Sequence, residues 1–121
     1  MLLEKKELRS IGLQVLSIDQ PVVSDNRLES VFKSHFGISL SVVFQLWNML
    51  VRMSLVPDKG TAVHLYWALA YLKLYETHVV FSIMFRVSEK TFRKWVLKFV
   101  DAISDIDNVS ALVHRTMYLY L

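Results

Sequence analysis

The chain has 121 residues, of which 54% are hydrophobic and 12% aromatic, which suffices for one packed domain and excludes wholesale disorder. The absence of Cys excludes disulfide frameworks, thiolate zinc sites and thiol catalysis. Only three Gly and two Pro are present, and this scarcity of turn residues favours long helices over a sandwich or barrel. The sequence therefore predicts an all-α fold, a small bundle of about five helices.

Positive charge is concentrated in one segment of the chain. The formal net charge is +3, yet residues 86–98 alone contain five basic residues and one acidic residue, a net +4, which leaves −1 for the remainder. Charge that is focused on one segment attracts phosphate groups more strongly than the same charge spread evenly.

Neither a membrane span nor a secretory leader is expected. The most apolar run, residues 62–72, contains His64 and is soon followed by Lys73 and Glu76. It is shorter than the roughly 20 apolar residues that a spanning helix needs. The start of the chain is charged within its first residues and lacks the apolar region of a signal peptide.

The N-terminal third contains one uncertain segment and two predicted helices. Residues 1–25 are predicted to be an arm, with a short helix around residues 2–10 and an unfixed segment as the two alternatives. A helix follows in "SDNRLESVFKSHFG", capped by Asp25 or Asn26 and ended by Gly37. The next helix, in "SLSVVFQLWNMLVRM", is capped by Ser39 or Ser41, and Pro57 prevents its continuation.

The remaining helices are a central one and a pair. "TAVHLYWALAYLKLY" is apolar on nearly every face, which predicts the most buried helix of the bundle. "THVVFSIMF" is predicted to be capped by Thr77, and "EKTFRKWVLKFVDAISDI" by Ser88. Aspartates near the end of this last helix oppose its macrodipole, so fraying is expected near Asp105. Residues 108–121 form a C-terminal tail without an assignment.

The break between the last two helices predicts a helix-turn-helix over residues 77–105, within a helical DNA-binding domain spanning 26–107. Ser82 is small, as the crossing of the two helices requires. Phe92 and Trp95 are expected to return to the core beside Phe81. The turn position after Phe85 usually holds Gly because φ is often positive there, and here it holds Arg86, at a cost of about 1 kcal/mol.

This segment resembles the helix-turn-helix that precedes the catalytic domain in DDE-type transposases of the Harbinger group and their bacterial insertion-sequence relatives. Ser82, "FRVS" (85–88) and "KTFRKW" (90–95) match the family's small residue, Phe-Gly-Val-Ser turn and basic helix, apart from Arg86 in place of Gly. "SHFGISLSVVFQLWNML" (34–50) and "LYWALAYLKLY" (65–75) resemble the family's two upstream segments. The resemblance covers residues 26–107.

The resemblance implies DNA binding without catalysis. In the family, transposition activity belongs to a downstream nuclease domain in which two Asp and one Glu hold Mg²⁺. Asp101, Asp105 and Asp107 lie within two turns of one helix end, so they cannot replace carboxylates from separate elements that clamp two metals. The chain is therefore expected to be a truncated or domesticated copy that is not an enzyme and has no cofactor. Its expected location is the nucleus in a eukaryote and otherwise the cytoplasm.

The candidate DNA-binding residues are the exposed positions of the second helix and its turn. Lys90 and Arg93 are expected to reach base edges or the nearest phosphates, with Arg favouring guanine. Arg86, Lys94 and Lys98 are expected to contact phosphates. Ser88 is expected to cap the helix and to contact a phosphate. Glu89 is expected to lie at the favourable end of the helix dipole or to accept a hydrogen bond from a cytosine amine.

Less specific interpretations remain beside this one. The basic face can be an ordinary solvated helix surface, or it can bind an acidic partner within an all-α protein-interaction module. The four His residues have no metal-ligand spacing, so structural or surface roles are favoured and no metal site is predicted. The expected partner is double-stranded DNA, with a second copy of the chain as an additional candidate and no small-molecule substrate.

Overall fold

The computed structural model describes residues 2–18 and 24–119, and the side chains of these residues as far as Ile106. Over this part of the chain it contains six α-helices and no strand, so the predicted all-α fold is confirmed. One helix more is present than the five or so expected. The helices are α1 (Lys5–Val15), α2 (Asp25–Phe36), α3 (Leu40–Arg52), α4 (Ala62–Leu74), α5 (His78–Met84) and α6 (Glu89–Leu119).

Hydroxyl side chains begin most of these helices. The Oγ atoms of Ser24, Ser39 and Ser88 accept from backbone N–H groups three residues later, and Thr77 does the same for α5. The predicted caps Thr77 and Ser88 are confirmed, and Ser39 rather than Ser41 caps α3. The prediction for α2 was wrong, because Ser24 is its cap and Asp25 is its first helical residue. Ser and Asp are about equally good caps, so residue type alone could not place the start of α2.

The core is built around α4, as its all-round apolar sequence predicted. Six of its residues between Leu65 and Ala70 are buried, and α4 packs against α1, α2 and α6. Tyr66 is fully buried, and its hydroxyl donates to the carbonyl oxygen of Leu8 at 2.6 Å. Its ring packs against Phe36 and Phe32, with ring centroids 4.6 and 5.9 Å away. These contacts bind α1 and α2 to the central helix.

The N-terminal segment contributes to this core. The short helix considered for residues 2–10 is α1, which lies somewhat later in the chain and buries Leu8 and Leu13 completely. Ahead of it, the backbone of Leu3 is held by the buried amide of Asn48, whose Oδ1 accepts from Leu3 N–H at 3.2 Å and whose Nδ2 donates to its carbonyl. Residues 3–13 are thus held against the rest of the protein.

The C-terminal helix is longer than predicted. Fraying near Asp105 was expected, but the backbone of α6 stays helical from Glu89 to Leu119 and so includes most of the tail left unassigned at 108–121. Buried Ala102 and Ile106 extend the apolar face of α6 past Phe99. Because α6 continues to Leu119, Asp101 and Asp105 lie in its interior, and the dipole effect, which is confined to the last turn, no longer opposes them.

Candidate nucleic-acid interface

Helix α5 ends in a Schellman motif that sets the direction of α6. Arg86 has a left-handed φ of 56°, as predicted for the position after Phe85. Its N–H donates to the carbonyl of Ile83, and the N–H of Val87 donates to that of Ser82 at 3.0 Å. This pair of hydrogen bonds satisfies carbonyls that the end of a helix would otherwise leave unpaired. The chain therefore turns from α5 into α6 within four residues even though Gly is missing.

An aromatic contact fixes the two helices against each other. Phe81 of α5 and Phe92 of α6 are both fully buried, and their rings stack with centroids 5.1 Å apart. Phe85 adds a second contact with Phe92 at 6.1 Å. Ser82 is partly buried, and its hydroxyl turns back to donate to the carbonyl of Val79 at 2.7 Å. The small side chain thus satisfies its own polar group within α5.

The first turn of α6 is capped by Ser88. The hydroxyl of Ser88 accepts from the N–H of Thr91 at 3.1 Å and donates to the Thr91 hydroxyl at 2.8 Å. Glu89 follows in the first turn, where a negative charge interacts favourably with the helix dipole. The free N–H groups of this turn are therefore already partly satisfied by the chain itself.

Trp95 packs against the core at a partly buried position, as predicted. The sequence placed it beside Phe81 and Phe92, whereas its ring stacks on His64 of α4. The fully buried positions of α6 are Phe92, Val96 and Phe99. They form the centre of the apolar face of α6, and Trp95 lies at its edge.

Trp95 makes cation–π contacts with two lysines. The ammonium groups of Lys94 and Lys98 lie over its ring, 5.0 and 5.2 Å from the centroid. Both lysine residues are exposed, so their charges reach solvent while their stems cover the indole. Lys90 is exposed one turn earlier, which makes a row of three ammonium groups at intervals of four residues. Arg86 is exposed in the preceding turn.

Arg93 differs from the lysines because its guanidinium is hydrogen-bonded to two other side chains. Its Nη2 donates to Oε1 of Glu89 at 2.9 Å, and its Nε donates to Nδ1 of His78 at 3.0 Å. His78 is the first residue of α5, so Arg93 links the two helices of the motif. The sequence grouped Arg93 with Lys90 as a base-contacting residue and did not identify His78 as its partner.

His64 is a second residue that the sequence reasoning did not connect to this surface. Its Nδ1 accepts from the backbone N–H of Thr61 at 3.0 Å, at the start of α4. Burial, together with the charge of Lys94, lowers the pKa of His64 to about 4. The spacing of Thr61 and His64 is that of a capping box, with His in place of the usual Glu or Gln. That spacing is the signal that could have found it.

Neither a metal site nor a single membrane-spanning helix is found among the described residues. Within residues 2–18 and 24–106, no group of His, Asp and Glu side chains is arranged to hold a metal ion. No single helix among the described elements is long and apolar enough to cross a membrane; α2 and α3 reach that length and composition only together, with a bend of 57° between them.

Comparison with protein-family models, with curated proteins and with solved structures found no match.

Proposed function

We propose that this chain is a DNA-binding domain in which α5 and α6 form a helix-turn-helix and α6 enters the major groove. The observation that supports this most is the exposed row of Lys90, Lys94 and Lys98 on the first turns of a capped helix that follows a four-residue turn. Exposed Asp101 and Asp105 follow the row, so among the described side chains of α6 the basic ones lie in its N-terminal part, the part that meets DNA in this motif.

The contacts within the protein suggest different roles for the basic residues. Arg86, Lys94 and Lys98 bind phosphates, and the indole of Trp95 restricts the freedom of the two lysines before DNA arrives. Lys90 reads a base edge. Arg93 serves mainly to position α6 against α5, because contact with a base would require its guanidinium to leave both Glu89 and His78. Glu89 then holds Arg93 in place, and Ser88 caps α6.

The same proposal includes the origin and activity of the chain. The ordered series of segments that resembles Harbinger-type transposases supports descent from the N-terminal domain of such a protein. We propose that the domain binds double-stranded DNA and does not itself catalyse transposition. Its location is then the nucleus in a eukaryote and the cytoplasm otherwise.

One observation favours a second function, that of a protein-interaction module. Helix α5 exposes four large apolar residues to solvent, and Ile83 is 73% exposed. An apolar outer surface on the first helix is of little use against phosphates, but it suits a protein partner whose acidic residues meet the lysines. The other three residues are Val79, Val80 and Met84.

Fluorescence anisotropy with labelled duplexes at several salt concentrations tests the DNA proposal. We expect the logarithm of the binding constant to fall steeply with the logarithm of the salt concentration, by about 0.9 for each phosphate contact. Lys33→Ala is the matched control for alanine variants of the lysine row. Lys33 is an exposed lysine of α2, and its loss changes the net charge by the same amount as the loss of Lys90, Lys94 or Lys98. No duplex binding at about 50 mM salt would refute the proposal and leave the protein-interaction module.

A further inference from the structure

An apolar cavity of about 500 Å³ lies between α1, α3, the segment 53–61 and the start of α4. Its walls include Leu3, Ile11, Trp47, Val51 and Val56, together with the first residues of α4. None of the residues that line it is charged, and the hydroxyl-bearing ones are Ser54 and Thr61. The cavity is separate from the basic surface of α6, and neither the sequence nor the proposed function gives it a role.

Size and lining together define what could occupy this space. Small-molecule sites in proteins usually measure about 300–1,000 Å³ and are lined mainly by apolar side chains with a few polar groups. A charged molecule would lose its hydration without gaining a partner of opposite charge, since the lining has none. A neutral molecule would bury apolar surface at a gain of about 25 cal/mol per Å² and could direct one polar group to a hydroxyl.

We infer that the chain binds a neutral, mostly apolar small molecule in this cavity. The molecule is a ligand and not a substrate, because no acidic or basic side chain lines the space. Trp47 and Val51 of α3 form one wall, and Gly60, Thr61 and Val63 form the other. The inference stands on the cavity alone and does not depend on DNA binding.

The second wall also connects the ligand to α6. A methyl group added to Gly60 would lie 3.0 Å from the ring of Phe99, so the turn before α4 packs directly on the C-terminal helix. Thr61 donates its N–H to His64, whose ring stacks on Trp95. Residues 60–63 contact α6 directly at Phe99 and, through His64, at Trp95. A ligand that displaces residues 60–63 would therefore also displace the helix that bears the basic row.

Titration with N-phenyl-1-naphthylamine, a neutral apolar dye that fluoresces when shielded from water, tests the inference. We expect a single saturable site on the full chain. Val51→Trp should place an indole in the cavity and weaken dye binding at least tenfold, by the ratio of dissociation constants. Val42→Trp is the matched control: it makes the same change on α3 at a residue that is 43% exposed and outside the cavity, and it should leave the affinity unchanged.

A second measurement on the unaltered protein covers the case in which Val51→Trp fails to fold. Backbone amide shifts recorded during the titration should change most at residues 47–51 and 54–63. Shifts concentrated on α5 instead would assign the dye to the exposed apolar residues there and overturn the inference. Absence of saturable binding, or equal affinity in a folded Val51→Trp variant, would overturn it as well.

Discussion

The imidazole of His64 lies flat against the indole of Trp95, with ring centroids 4.0 Å apart and an angle of 6° between the planes. The contact joins the first turn of α4 to the basic part of α6. Because Nδ1 of His64 accepts the N–H of Thr61, the ring must be neutral at that nitrogen in this arrangement. Protonation would turn the acceptor into a donor and add a cation next to Lys94.

The stability of the fold should therefore decrease as the solution becomes acidic. The pKa of His64 is lowered from 6.5 to about 4, so between these values the unfolded chain binds a proton that the folded chain does not. The free energy of unfolding then falls with falling pH over this range and is unaffected by His64 above it. We expect a loss of about 1–2 kcal/mol, less than full linkage gives, because the ring is partly open to solvent.

His64→Gln is the control for this effect. Gln can accept from the N–H of Thr61 as in an ordinary capping box but does not titrate. Urea unfolding of both proteins at pH 7 and at pH 4.5 should give a smaller loss of stability for the variant. An equal loss in the two proteins would show that other groups, such as the carboxylates, account for the acid sensitivity.

The sequence predicts features of this fold that depend on neighbouring residues. The caps Thr77 and Ser88 and the positive φ of Arg86 follow from interactions within three or four residues. Burial depends on distant partners. Leu8 lies on the apolar face of α1, but the residue that packs on it there, Tyr66, is 58 residues away and could not be identified from the local sequence. Trp95 shares a predicted apolar face with Phe92, but the choice of its partner required the position of α4.

The candidate site divides in the same way. The exposed lysines of α6 could be predicted from helical spacing and charge alone, since solvent-facing positions repeat every three or four residues. The partners of Arg93 could be predicted only in part. Glu89 lies four residues earlier on the same helix, which is a common spacing for an ion pair, whereas His78 belongs to the preceding helix and meets Arg93 through the α5–α6 packing.

Replacing Arg86 by Gly should stabilise the fold while weakening DNA binding. Gly adopts positive φ without the steric cost of a side chain, so we expect a gain of about 1 kcal/mol or less. Ser54→Gly is the matched control, because Ser54 ends α3 with φ 57° and the same pair of hydrogen bonds. Thermal unfolding should show a gain for both variants. Only Arg86→Gly should lower the salt dependence of DNA binding, and a similar decrease for Ser54→Gly would argue against a phosphate contact at Arg86.

Gly12 should not tolerate even a methyl group. A Cβ atom at this position would lie 2.6 Å from the Phe32 ring and 2.9 Å from that of Tyr66, both in the core. We expect Gly12→Ala to destabilise the fold by about 1–3 kcal/mol despite the better helix propensity of Ala. Gln14→Ala on the exposed side of α1 should change stability by at most about 0.5 kcal/mol. Denaturant midpoints measure both, and a stabilised Gly12→Ala would mean that α1 packs less closely on α4.

The last prediction separates Lys90 from Arg93, which the sequence alone could not distinguish. Arg93→Ala removes a half-exposed ion pair and the link to His78, so it should lower the free energy of unfolding by about 0.5–1 kcal/mol. It should also weaken binding to selected and random duplexes by similar factors, because the orientation of α6 changes for both. Lys90→Ala should leave stability unchanged within about 0.5 kcal/mol.

Anisotropy on a selected site and on random DNA provides the comparison for these variants. If Lys90 contacts a base, Lys90→Ala should cost about 1–3 kcal/mol on the selected site and clearly less on random DNA. Lys94→Ala and Lys98→Ala are the reference for phosphate contacts and should weaken both duplexes alike, each lowering the salt slope by about one unit. Loss of sequence preference in Arg93→Ala, with preference kept in Lys90→Ala, would mean that the guanidinium leaves Glu89 and His78 to read the base itself.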